Sequence, residues 1–302
     1  MNNPFNRPTE YKPCVEDILY WVAEREAIRI HKLNGIDRKF WTQDPILQKY
    51  RFCNVRRRDD RVTQWLIHNL YDQYEYGKDE DLWFIAAIAR YVNWPPSLLE
   101  LAGNGVLPAR AEEFDPHVFV SVMDDLKKQG LKCWGSAYML YPGRETGSNK
   151  AETVAFRFLL PLANEAVKVR AAVAENRVES VVAELTKFYG WNTFLAGQVA
   201  ADLTYYPQEL GWAEDLYAWA PVGPGSSRGL NRLLGRPLNK SWEQSEFNEQ
   251  LRIIWTEIAE QLDMEDLMLH DVQNCMCELD KMWRVLAGEG APRSIYSPET
   301  SY

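Results

Sequence analysis

The chain has 302 residues, 46% hydrophobic and 13% aromatic, enough apolar material for one large domain or two small ones with disorder confined to the ends. Its 34 Lys and Arg against 43 Asp and Glu leave a formal charge of -9, which excludes a uniformly basic nucleic-acid binder. No apolar run approaches the ~18 residues of a membrane span, and residues 1–12 are polar with two prolines rather than a signal peptide. A cytoplasmic protein with no membrane partner is expected.

In chain order, the tail at 1–14 gives way to a helix from Val15 to Leu33, with Ile18, Trp21, Val22, Ala27 and Ile30 on one side. Thr42 or Asp44 caps a short helix that starts with Pro45. A helix from Asp59 to Tyr74 follows, then one from Leu82 to Val92 that ends at Asn93 and the Pro95-Pro96 pair. Across 131–160 the pattern changes. The segments 134–141 and 153–159 flank a turn-rich stretch and predict a short hairpin or an extended lid loop. Helices resume over 160–189 and 191–203, and again over 243–262 and 264–286, with a loop-like tail from 288 to 302. The class is all-α: one helical body over 15–287, divisible into two lobes near 105–190.

Cys14, Cys53, Cys133, Cys275 and Cys277 are odd in number and show no disulfide framework, and no Cys/His pair has zinc spacing. A reducing compartment and no structural metal are expected.

Chemistry concentrates in three stretches. Val222-Gly-Pro-Gly-Ser-Ser-Arg-Gly-Leu-Asn-Arg-Leu lies in a region, 222–240, without a single Asp or Glu. An apolar approach over 212–219 and a helix from about Ser226 would form two helices joined by a tight Gly-x-Gly turn. There Gly223 and Gly225 would permit positive φ and close approach to a phosphate, with Ser226 at the helix start and Arg228 and Arg232 on one face. A glycine-capped basic helix with no ligand has the same composition. On the last helix, Met268, Val272, Cys275, Leu279, Met282 and Leu286 form a core stripe, and Asp271, Asn274, Glu278 and Lys281 run beside it. That second row reads either as a cleft wall or as a surface row of ion pairs. The third stretch, Phe52-Cys-Asn-Val-Arg-Arg-Arg-Asp-Asp-Arg-Val-Thr, sets four arginines around Asp59 and Asp60, a composition suited to phosphate or to a solvated helix start capped by Asn54 or an aspartate. A P-loop is excluded: neither 143–150 nor the 223 region carries Gly-x-x-x-x-Gly-Lys-Ser/Thr.

Together with the Gly135-Ser-Ala-Tyr-Met segment and Asp271-Val-Gln-Asn-Cys-Met-Cys-Glu-Leu-Asp-Lys, these stretches resemble the thymine-hypermodification proteins of bacteriophages. These are the α-glutamyl/putrescinyl thymine pyrophosphorylases, or amino acid:DNA transferases, relatives of the helical domain of 5-hydroxymethyluracil DNA kinases. The resemblance runs from about Val15 to Tyr296. It implies a helix-hairpin-helix DNA glycosylase-like fold and a host-cytoplasm location. The implied reaction replaces the pyrophosphorylated 5-hydroxymethyl group of a flipped-out uracil with an amino acid or polyamine.

Under that resemblance the catalytic candidates are Asn54, Arg57, Asp60, Asp271, Glu278 and Lys281. Asp271 or Glu278 would accept the proton of the attacking amine, and Lys281 would orient a carboxylate or phosphate. Arg57 and Arg61 would steady the departing pyrophosphate, with room for an accompanying divalent cation but no certain cofactor. Gly223, Gly225, Ser226, Arg228 and Arg232 would hold the DNA backbone. Partners would be DNA containing a modified pyrimidine, the amine and a separate DNA kinase. Two other readings use the same residues: excision of a modified pyrimidine by a glycosylase, and a 5-hydroxymethyluracil DNA kinase or its non-catalytic DNA-binding partner.

Overall fold

The computed structural model describes residues 12–73, 81–135, 149–290, 292, 295 and 296. In chain order its helices are α1 (Val15–Leu33), α2 (Pro45–Lys49), α3 (Arg61–Asn69), α4 (Leu82–Val92), α5 (Pro95–Gly103) and α6 (Pro116–Lys128). They continue as α7 (Lys150–Glu152), a π-helical stretch Thr153–Leu159, α8 (Leu160–Asn164), α9 (Ala166–Ala174), α10 (Val178–Leu185) and α11 (Thr193–Leu203). The last three are α12 (Pro224–Leu233), α13 (Gln244–Leu262) and α14 (Leu269–Leu286). No strand occurs among the described residues beyond one isolated antiparallel bridge between Tyr50 and Ile295, so the all-α expectation holds.

The chain divides into two compact units, one made of Met1–Asp60 with Leu216–Ser301 and the other of Arg61–Asp215. In the first, α1, α12 and α13 surround α14. Ile18, Trp21 and Ile28 of α1, Phe247, Leu251 and Ile258 of α13, and Val272, Cys275, Leu279 and Met282 of α14 share one apolar core. Helix α1 matches its sequence expectation at both ends, with Asp17 closing its start by accepting the Cys14 N–H at 2.9 Å. The Asp44 carboxylate caps α2, taking the amides of Ile46 and Leu47 at 2.8 and 3.0 Å ahead of the first-turn proline.

The second unit is built on α4, every residue of which is buried. Its one charged residue, Arg90, is neutralised by the buried Asp202 of α11 (Nε to Oδ2, 2.7 Å), which also accepts the Tyr71 hydroxyl at 2.7 Å. Nearby in this unit, Asp81 receives the Arg170 Nε at 2.7 Å and the amide of Ala111 at 2.7 Å.

Three expectations are corrected. Residues 153–159, read as the second arm of a hairpin, are π-helical. Val154, Ala155, Phe158 and Leu159 are buried, and this 4–5 spacing suits the wide helix, overriding the β-propensity of the Thr-Val-Ala-Phe run. The lid-loop alternative falls on 136–148, outside the described residues, as does most of the Gly135–Met139 segment. The continuous helix over 59–74 is broken. Asp60 is extended (φ −67°, ψ 136°), because its carboxylate turns back to accept the Asn54 N–H at 2.8 Å, and α3 begins only at Arg61. No helix leads into the Gly223 turn, for residues 214–218 form turns and 219–223 are irregular.

Candidate active-site residues and the family

The six catalytic candidates lie in the first unit, where residues 52–60 run along α14 (Leu269–Leu286). The periodicity of α14 puts Asp271, Asn274, Glu278 and Lys281 on one edge of its core stripe, and the 52–60 segment covers that edge. Its backbone is held by carboxylates: the Cys53 N–H donates to Glu278 Oε2 at 3.1 Å, and the Arg57 N–H to Asp271 Oδ1 at 2.8 Å. From the other side Arg25 of α1, 5% exposed, donates to the carbonyls of Cys53 (3.1 Å) and Phe52 (3.3 Å) and to Asn54 Oδ1 (3.2 Å). Arg25 lies at the helical spacing of Trp21 and Ile28, so a cation on an apolar face was the signal that could have flagged it.

These contacts rank the carboxylates. Asp271 is committed twice, since its second oxygen accepts the Met268 N–H at 3.1 Å as the cap of α14. Glu278 is 3% exposed and holds Cys53 and Lys281. Asp60 is the most open of the three, at 20%, and has one oxygen on Asn54 N–H and the other 3.6 Å from Arg57 Nε. Burial pushes the Asp60 carboxyl above the ordinary aspartate range, against the opposing pull of Arg57. The Asn54 amide nitrogen is taken by the Asp59 carbonyl at 2.6 Å.

Arg57 Nη1 sits 3.4 Å from Asn274 Oδ1, and the Asn274 amide nitrogen, on a residue only 7% exposed, has no hydrogen-bond partner among the described residues. Burial works to lower the Lys281 ammonium, but the neighbouring groups together, led by Glu278, outweigh it and keep the lysine charged. Burial also pushes the Cys53 thiol well up, so Cys53 stays protonated and contributes its backbone rather than a thiolate.

Arg56, beside Arg57 in the run, is tied to acids. Arg56 grips Asp266 through two nitrogens at 2.7 Å and lies 3.3 Å from Glu26, while Arg29 lies 3.3 Å from Asp59. Arg61, expected beside Arg57, belongs to the second unit.

At the glycine turn the structure shows a packing role. Gly223 has φ −117°, and no left-handed glycine occurs there. A Cβ on Gly225 would sit 2.3 Å from Cys277 Sγ, and one on Gly229 would sit 2.4 Å from the Met276 carbonyl oxygen. The glycines therefore let α12 press onto α14. Ser226 is fully buried, donating to the Gly223 carbonyl at 3.1 Å and accepting from Gln273 at 2.9 Å. Arg228 and Arg232 both reach the fully buried Asp280 (2.6 and 3.3 Å), and Arg232 also pairs with Glu289 at 2.6 Å. Two arginines from a window without acids in sequence are thus paired with acids from α14 and the segment after it.

Among the described residues, no group of three or more His, Cys, Asp or Glu side chains could hold a metal ion, and no helix is long and apolar enough to cross a membrane. All five cysteines are free thiols.

Residues 12–291 match the family described as "5-hmdU DNA kinase, helical domain". A protein of Bacillus phage SP10 named "5-hmdU DNA kinase" is 26% identical over 291 residues, covering 89% of this chain. The chain spans 44% of that relative's length. No solved structure matches. With nearly its whole length matched, the chain belongs to the family of 5-hmdU DNA kinase helical domains.

Proposed function

We propose that this protein takes part in thymine hypermodification of phage DNA, acting at the 5-methylene carbon of a phosphorylated 5-hydroxymethyluracil. An amino acid or polyamine nitrogen bonds to that carbon while the C–O bond breaks, and the electron pair leaves with the pyrophosphate. Asp60 takes the proton released by the amine, and Arg57 and the Asn274 amide face the departing phosphate oxygens. The single observation behind these roles is the juxtaposition of a carboxyl raised by burial, a guanidinium and an unpartnered amide donor within one small group of residues. A divalent cation accompanying the pyrophosphate would be carried by phosphate oxygens, since the described residues offer no ready-made metal cluster.

A second reading, phosphorylation of the hydroxymethyl group, is favoured by the name of the phage relative. Against it for this chain alone stands the lack of a Gly-x-x-x-x-Gly-Lys-Ser/Thr loop. Excision of the base has less support, because Asp271, its natural general base, has both carboxylate oxygens engaged in holding backbone.

The deciding experiment offers the purified chain three mixtures and weighs the resulting nucleosides. They are hydroxymethyluracil DNA with ATP, pyrophosphorylated DNA with mixed amines, and modified DNA alone. An amine-sized gain only in the second supports transfer, and its loss in Asp60→Asn supports the base assignment. A phosphate gain in the first supports the kinase reading. Abasic sites in the third would overturn both.

A further inference from the structure

Arg228 and Arg232 are ion-paired with Asp280, and the first unit carries another cationic surface. It lies where the end of α1, the turn after it, α2 and the returning tail meet. Lys32, Arg38, Lys39, Lys49 and Arg51 fall within twenty residues. The two acids in that stretch do not balance them. Asp44 is buried as the cap of α2, and Asp37 spends one oxygen on the Lys39 N–H (3.1 Å), its other lying 3.4 Å from Lys39 Nζ. On a chain of net charge -9, this is a local reversal of sign.

Aromatic rings are set among these cations. The Tyr296 N–H donates to the Lys49 carbonyl at 3.1 Å, which brings the Tyr296 ring edge-on to Trp41 with centroids 5.7 Å apart. The Lys32 ammonium lies 4.8 Å from the Trp41 ring centre and 4.6 Å from that of Tyr296, and the Arg38 guanidinium 4.7 Å from the latter. The rings thus order the cations in advance of any ligand. Phe40 is 60% exposed beside Lys39, and a shallow open depression is lined by Asp37, Arg38, Lys39, Pro45, Gln48 and Lys49. An open depression lined by Arg38, Lys39 and Lys49, with the centre of the exposed Phe40 ring 4.9 Å from Lys39 Nζ, matches a phosphodiester strand better than an acidic protein face. A strand offers evenly spaced charges together with flat sugar-base surface for Phe40.

We infer that the surface formed by Arg38, Lys39, Phe40 and Lys49 is the principal DNA grip of this protein. This rests on the reading of DNA as the substrate, but it uses none of the groups placed at the chemistry. It holds the backbone, so it acts on modified and unmodified DNA alike.

The test is binding of the full chain to a fluorescent unmodified duplex across a salt series, with melting curves to confirm folding. Lys39→Glu with Lys49→Glu should weaken binding tenfold or more, and the neutral pair Lys39→Gln with Lys49→Gln should lower the salt slope by about two. Phe40→Ala should weaken binding severalfold with the slope unchanged, because the ring carries no charge. Affinities within twofold of the parent for both paired variants would overturn the assignment, as would a parent chain that binds no DNA at low salt. A chain that binds through this surface but yields no product removes only the proposed reaction.

Discussion

The backbone amide of Arg57 donates to Oδ1 of Asp271 across 2.8 Å, joining two segments 214 positions apart. The other oxygen of Asp271 caps α14. One side chain therefore both starts the central helix of its unit and fastens the segment that carries Asn54, Arg57 and Asp60. Asp271→Ala removes a cap and strands a buried amide, so it should cost about 2 to 3 kcal/mol in urea unfolding. Asp60→Asn keeps its bond to the Asn54 amide and should cost under about 1 kcal/mol while abolishing turnover. Equal stability losses in the two variants would contradict the division of roles between them.

The main helices were legible because their limits are written locally. Val15–Leu33 and Leu82–Val92 start and stop where apolar periodicity and end residues say they should, the latter at Asn93 in the left-handed region (φ 45°). The polar row on α14 was legible for the same reason. What lay beyond reach depends on distant partners. Whether Gly225 frees backbone for a phosphate or admits a neighbouring helix is decided by Cys277, and whether Arg232 is available is decided by Asp280 and Glu289. The Lys32–Arg51 surface stayed hidden because its cations are spread over several short elements and one of its rings, Tyr296, arrives from the tail.

The seam between α12 and α14 supplies a sharper contrast. A methyl added at Gly229 meets the Met276 carbonyl, a backbone atom that cannot step aside, whereas at Gly225 it meets the Cys277 side chain. Gly229→Ala should therefore lose about 3 kcal/mol or more. Gly225→Ala should lose about 1 to 2 kcal/mol, much of it recovered by adding Cys277→Ala. Strict additivity of Gly225→Ala and Cys277→Ala in chemical denaturation would show that the helices are not in contact there.

Glu209, in the second unit, gives a pH signature. Burial, helped by the nearby charge of Asp81, pushes its carboxyl up to about 7. Between its ordinary value of 4.5 and about 7 the unfolded chain has lost this proton and the folded chain still holds it, so stability falls as pH rises through that window. Its contribution is present in full below 4.5 and gone above 7. Glu209→Gln should leave the melting temperature unchanged near pH 4 and raise it near pH 8, by no more than roughly 3 kcal/mol in stability. A variant equally stabilised at both pH values would show that the ionisation of Glu209 is not the cause.

Asn274 separates stability from function. Its amide nitrogen is buried without a partner among the described residues, and its oxygen makes only a 3.4 Å contact to Arg57. An unsatisfied buried donor costs on the order of 1 to 3 kcal/mol, and a 3.4 Å contact returns little of that. Leucine keeps the branched outline and carries no unsatisfied donor but is larger, so the relief of the donor and the cost of the tighter fit should roughly offset, and Asn274→Leu should be about as stable as the parent. Stability alone gives no reason for an asparagine there; presenting the amide to a phosphate oxygen does. Turnover on pyrophosphorylated DNA should accordingly fall at least tenfold in Asn274→Leu, with affinity for unmodified duplex unchanged. If the leucine variant instead unfolds more readily and turns over normally, the amide has a structural partner and its place in the chemistry is lost.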